Sequence, residues 1–254
     1  MNIKEIYNSH KDRVLTSIVL IVVALAVALI DNTVLTWTVL GAIYLVSFYE
    51  AMHLFGLSDK TNLVYALAIW LAALIYPNPD DLFYLVIVIV LSVMVHKKDV
   101  NFKVLMPFFY PTLSMLSLFA LYKDFGMTTL VWLVVIVASA DTGAYVVGKS
   151  VGKTPFSKTS PNKTWEGVAG GILIASILGS IAGLGSVAFS ISIVVSILTA
   201  LSSVWGDLFE SYLKREAGVK DSGAIFPGHG GMLDRLDGYL FASVVMVVLL
   251  RGLL

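Results

Sequence analysis

No cysteine occurs in the 254 residues, which excludes both a disulfide framework and a thiolate metal site. Charge is scarce as well. Asp, Glu, Lys and Arg make up 13% of the chain, about half the share of a soluble domain, while 58% of residues are hydrophobic. Seventeen acids cancel seventeen bases, and a zero formal net charge removes any global attraction for nucleic acid. What the chain has instead is long apolar runs, with a mean hydropathy of +0.88. A single water-soluble core does not need runs of this length. A lipid-facing surface does.

A hydrocarbon core takes about 20 apolar residues of helix. That rule predicts nine spans, at residues 14–30, 34–55, 61–76, 82–96, 104–122, 128–148, 167–189, 190–212 and 236–253, the third and fourth being short. Backbone groups in lipid must pair within their own segment, so the spans are helices rather than strands. The expected fold is therefore all-α: one polytopic helical bundle over residues 1–254. Residues 1–125 read mainly as spans, and the polar motifs crowd into 138–238. With the amino terminus placed in the cytoplasm, 15 of the 17 lysines and arginines fall on the cytoplasmic side, and only Lys123 and Arg251 fall opposite. The positive-inside rule then favours nine spans, amino terminus in and carboxyl terminus out.

Two of the cytoplasmic loops differ from the rest. Residues 148–165 read GKSVGKTPFSKTSPNKTW, and residues 214–237 read KREAGVKDSGAIFPGHGGMLDRLD. Both are rich in Lys, Gly and Ser. Asp141 precedes the first; Asp207 and Glu210 precede the second, and Asp234 and Asp237 follow it. One such acid at a membrane edge is accounted for by a neighbouring lysine. Several acids at span ends mark a polar cavity. Carboxylates hold hard cations, Lys and Arg neutralise phosphate, and glycines let backbone N–H groups approach an anion. The set reads as machinery for Mg²⁺ and phosphate. Asp234 and Asp237, three apart, share a helical face and suit a first turn. His229-Gly230-Gly231 just before them offers a polar turn, with His229 as a proton carrier or phosphate contact. Residues 143–150 fit the P-loop formula, but they lie in a membrane helix without the preceding strand a P-loop needs.

Residues 211–237 closely resemble the signature of the phosphatidate cytidylyltransferases (CDP-diacylglycerol synthases). The matching positions are Ser211, Leu213, Lys214, Arg215, Lys220, Asp221, Gly223, Pro227, His229, Gly230, Gly231, Asp234, Arg235 and Asp237. A second block, residues 140–145 and 160–167, is also similar to the family, so the likeness covers about residues 140–238. Ala224 and Gly238 depart from it at positions often polar in relatives. The resemblance implies a multi-pass protein of a bacterial-type inner (plasma) membrane, dimeric, with its active site facing the cytoplasm. It implies attack of phosphatidic acid on the α-phosphorus of CTP, with Mg²⁺ required and K⁺ as a second, monovalent ion. Asp207 and Asp234 would hold the metals, with Asp141, Glu166 and Asp237 as further metal-site candidates. Lys214, Arg215 and Arg235 would neutralise phosphates and Ser211 would bind one through its hydroxyl. Lys163, Lys220, His229, Gly230 and Gly231 would contact substrate phosphates. The partners expected are CTP, phosphatidic acid and membrane lipid, with no nucleic acid. Two other readings stand beside this one: a CTP-dependent lipid alcohol kinase, and a secondary anion transporter, which embedded acids and Gly-rich breaks would suit.

Overall fold

The computed structural model describes the backbone of residues 3–98, 100–226 and 230–254, and side chains from Leu15 onward. Nine α-helices follow one another in these residues: α1 (Ile3–Ile30), α2 (Thr33–Leu54), α3 (Thr61–Ile75), α4 (Leu82–Lys97), α5 (Leu113–Phe125), α6 (Met127–Val151), α7 (Trp165–Gly183), α8 (Phe189–Glu216) and α9 (Leu233–Leu253). Among the described residues the only β pairing is two isolated bridges, Pro155 with Thr164 and Phe226 with Gly230. The protein is all-α and polytopic. Seven helical segments are long and apolar enough to cross a membrane, while the apolar stretches Leu15–Ile30 and Thr61–Ile75 are shorter. Leu29, Ile75 and Tyr84 are among the many large apolar side chains left on the surface, as a lipid-facing exterior requires.

The first predicted span starts earlier, at Ile3, the seventh ends earlier, at Gly183, and two others differ in ways that bear on the site. The fifth, expected as one helix over 104–122, is a 3₁₀ turn at Phe102–Leu105, a π turn at Phe108–Thr112 and then α5. Pro111 lies inside the π turn. It has no N–H to continue an α ladder, and the wider turn absorbs the missing bond. The eighth, expected to end at 212, continues to Glu216, so Lys214 and Arg215 belong to the last turn of α8. Cations there complement the carboxyl end of the helix dipole, and their long stems let the charges leave the apolar layer.

The core gathers around α5, most of which is buried. Tyr44, Phe48, Trp70, Phe108 and Phe119 pack edge-on or tilted against one another around it. Helices α2 and α3 are stapled by a reciprocal pair of bonds: Trp37 Nε1 donates to the Trp70 carbonyl at 2.9 Å, and Trp70 Nε1 to the Trp37 carbonyl at 3.1 Å. Between α6 and α7 small residues take the place of aromatics. A Cβ on Gly171 would stand 2.4 Å from the Ala140 carbonyl oxygen, so α6 and α7 meet backbone to backbone. Trp132 Nε1 donates to Ser196 Oγ at 3.1 Å and ties α6 to α8. At the end of the bundle where α9 finishes, Arg251 bonds Asp80 at 2.5 and 3.0 Å and Asp124 at 2.8 Å. Close packing of α6 on α7 and of α8 on α9 brings both polar loops to the other end.

Candidate functional site

Two polar centres form at that end. The first is a cavity of about 540 Å³ between α6, the α6–α7 loop and α8, lined by Asp141, Lys149, Asn162, Lys163, Thr164 and Asp207 among others. Its loop is folded tightly. Phe156 N donates to the Lys163 carbonyl at 2.7 Å, and Trp165 N to the Thr154 carbonyl at 3.0 Å. Thr164 caps α7 by accepting the Gly167 amide at 3.1 Å. Glu166 accepts the Lys153 and Thr154 amides at 3.2 Å each and the Thr154 hydroxyl at 2.9 Å. Both of its carboxylate oxygens thereby organise the loop. The fold delivers Lys163 to Asp207, with which it forms an ion pair, and the two side chains keep 27% and 24% exposure. Ser211, one turn along α8, places its hydroxyl 3.4 Å from Asp207 Oδ1. Asp237 lies within electrostatic reach of Asp207, Asp141 and Lys163, and Arg235 within that of Asp141.

The second centre is built around Asp234 in the first turn of α9. Lys214 Nζ donates to its Oδ1 at 2.6 Å. Its Oδ2 accepts the Ser222 amide at 2.8 Å, the Ser222 hydroxyl at 2.9 Å and the Gly231 amide at 2.7 Å. Lys214 also stands 3.2 Å from Glu210, which is fully buried and whose oxygens have no hydrogen-bond partner among the described residues. The Tyr110 hydroxyl is buried and unpartnered in the same sense, and Glu210 is the strongest of its charged neighbours. Gly230 takes a left-handed φ of 82°, which its lack of a Cβ permits. Arg215 points back to the Val219 carbonyl at 2.9 Å, and Lys220 and Arg235 are exposed.

Of the residues singled out from sequence, the first cavity gathers Asp141, Lys163 and Asp207, with Ser211, Asp237 and Arg235 beside it. The second centre gathers Lys214, Asp234, Gly230 and Gly231. Asp234 and Asp237, expected on one helical face, turn to different partners, Asp234 to Lys214 and the loop and Asp237 to the Gly238 amide at 2.7 Å. His229 lies outside the described residues. Sequence reasoning missed Glu50 of α2. It is 6% exposed and accepts the Met232 and Leu233 amides at 2.9 Å each and the Ser222 hydroxyl at 3.0 Å. The signal was available, since an acid within an apolar span is itself a pointer to function.

For a metal, the donors are hard carboxylate oxygens, the chemistry Mg²⁺ takes. Among the described residues no three His, Asp or Glu side chains converge closely enough to hold an ion. Mg²⁺ is typically held by one or two carboxylates with waters and substrate phosphates completing its shell. Asp207 could take such a role once its one side-chain cation, Lys163, is displaced. Asp234 retains only Oδ1, because Oδ2 already accepts three donors.

Comparison with known proteins identifies the family. The model of the Cytidylyltransferase family matches residues 11–253. Proteins named phosphatidate cytidylyltransferase from Helicobacter pylori strains J99 and 26695 are 45% and 44% identical over 250 residues, 97% of this chain and 94% of each relative. A protein of the same name from Bacillus subtilis strain 168 is 44% identical over 131 residues, 50% of this chain and 49% of its own length. With the match extending through every helix and both polar centres, the chain belongs to the cytidylyltransferase family.

Proposed function

We propose that the protein transfers the cytidylyl group of CTP to phosphatidic acid, forming CDP-diacylglycerol and pyrophosphate for phospholipid synthesis. The observation that carries this reading is the near full-length identity, 45% over 97% of the chain, to a protein named for that activity. The geometry supports it. The substrate's acyl chains must remain in lipid, and two polar centres, each with a lysine paired to a carboxylate, sit at one end of an apolar bundle. A phosphate oxygen of phosphatidic acid, already ionised at neutral pH, bonds to the α-phosphorus of CTP. The bond from that phosphorus to the bridging oxygen breaks, and pyrophosphate leaves with the electron pair. No strong general base is needed, so the work is alignment and charge neutralisation. Lys163 leaves Asp207 for phosphate; Lys214, Arg215, Lys220 and Arg235 supply positive charge; the Ser211 hydroxyl donates to a phosphate oxygen.

Asp207 and the free lone pair of Asp234 Oδ1 would hold Mg²⁺, with Asp141 and Asp237 alongside, and K⁺ would be the second ion. The metal would supply positive charge against the triphosphate. We read the chain as crossing an inner (plasma) membrane nine times, amino terminus and active site cytoplasmic, and as pairing into a homodimer. The orientation rests on the 15 of 17 cations that it places inside. Helix α3 then spans only about 22 Å at 1.5 Å per residue, less than the ~30 Å hydrocarbon layer, and the bilayer thins or its ends snorkel there.

Purified protein given phosphatidic acid, Mg²⁺ and CTP labelled at either the α- or the γ-phosphate tests the reaction. Label from the α position should enter the lipid while γ label leaves in pyrophosphate, and chelating Mg²⁺ should stop both. Transfer of γ label to a lipid alcohol would replace this reading with that of a kinase. Movement of neither label would return the question to transport.

A further inference from the structure

Glu50 lies on α2, in the half of the chain that otherwise supplies apolar span, yet all its hydrogen-bond partners belong to the catalytic half. The Met232 and Leu233 amides that it accepts at 2.9 Å lead directly into the first turn of α9. N–H groups there have no partner within their own helix, and a carboxylate satisfies both their bonding and the positive end of the helix dipole. The Ser222 hydroxyl stands 3.0 Å from Glu50 Oε2 and 2.9 Å from Asp234 Oδ2, so its one proton is shared between two carboxylates that it can serve in turn. The loop also passes Glu50 too closely for any side chain. A Cβ on Gly223 would stand 2.4 Å from Glu50 Oε1, and one on Gly231 would stand 2.5 Å from both Glu50 oxygens.

We propose that Glu50 is a positioning residue for the transfer reaction. From the first half of the chain it anchors Ser222 and the start of α9, and through Ser222 it fixes the Asp234 carboxylate and therefore Lys214. This inference rests on the cytidylyl-transfer reading of the site. In this role Glu50 acts through the aim of Asp234 and Lys214. Sub-ångström misplacement of such groups slows chemistry more than it weakens binding.

The test uses the full chain in detergent with phosphatidic acid, Mg²⁺ and α-labelled CTP. Glu50→Gln is expected to lower kcat by about 10- to 100-fold while the KM for CTP stays within about threefold. Ser222→Ala cuts the same chain of contacts. The double variant Glu50→Gln/Ser222→Ala should therefore be no slower than the worse single variant by more than about threefold. Unchanged kcat in Glu50→Gln overturns the proposal, and so does a double loss equal to the product of the single losses. Gly223→Ala leaves Glu50 in place but drives a Cβ into it, and it should reproduce the kcat loss. Unchanged kcat in that variant overturns the proposal even if Glu50→Gln does not fold. Amide exchange separates this result from a failure of the assigned reaction. If the wild-type protein moves no label, faster exchange in Glu50→Gln confined to residues 217–226, Met232 and Leu233 still supports the clamp. Unchanged exchange there removes it.

Discussion

Asp207 and Asp234 each meet a lysine, but the two regions hold their carboxylates in opposite ways. In the cavity between α6 and α8, Asp207 keeps 24% side-chain exposure, and its partners, Lys163 and Ser211, are side chains alone. At the junction of α2 and α9, Asp234 has 5% side-chain exposure, and two of its four donors are backbone amides. The first arrangement can change partners. Lys163 can turn from Asp207 to an incoming phosphate without disturbing any helix. The second cannot release Oδ2 without opening the loop behind it. The contrast separates a centre poised to exchange charges with ligand from one organised in advance, and Glu50 belongs to the organised one.

The largest expected effect tests this contrast directly. Asp207→Asn and Asp234→Asn should each lower cytidylyl transfer by about 10³-fold, but only the second should also destabilise the protein, by about 1–3 kcal/mol. The reason is that an Asn amide must present its N–H groups either toward the amides that Asp234 now accepts or toward the Lys214 ammonium. Thermal unfolding of both variants in the same detergent checks this, and equal melting would erase the distinction. The lysines should divide in the same way. Lys214→Met leaves Asp234 and the fully buried Glu210 without their cation and is expected to cost about 3–5 kcal/mol. Lys163→Met should mainly raise the KM for CTP, with stability changed by less than about 1 kcal/mol for a partly exposed pair. Substrate titrations and melting curves on the two variants decide it.

A smaller effect probes the packing of the organised centre. Gly231→Ala places a Cβ 2.4 Å from Ser222 Oγ and should cost about 1–3 kcal/mol by overpacking. Gly185→Ala, in the α7–α8 turn with nothing within 4 Å of the new Cβ, should stay within about 0.5 kcal/mol. The smallest effect lies at the far end of the bundle. Arg251→Ala breaks the exposed bridge to Asp80 and Asp124, for about 1 kcal/mol at most, and should leave kcat unchanged. A kcat that fell with Arg251→Ala would mean that the two ends are coupled.

Much of this was legible in the chain itself. The apolar runs identify the helices, because spanning length and internal backbone pairing leave few alternatives in lipid. The two polar loops identify the reactive end, because charges crowd where they can reach water. Other features were not legible. Proline 111 converts the start of one expected span into a π turn, since a hydropathy window registers apolar content but not a missing N–H. Lys214 and Arg215, placed in a loop by their charge, belong to α8, because long cationic side chains let a helix run past the apolar layer. Glu50 was passed over inside a span, although an acid there already pointed to a polar partner.

By itself, then, the sequence determined the class of fold, the end of the bundle that carries charge, and most of the polar residues that gather there. These follow from local composition and from neighbours a few residues apart. Tertiary structure alone decided which carboxylate serves which lysine, that Asp234 and Asp237 turn to different partners, and that Glu50 reaches Leu233 across 183 residues. A carboxylate takes whatever donors the packing brings within about 3 Å, and no local pattern records contacts made over such separations.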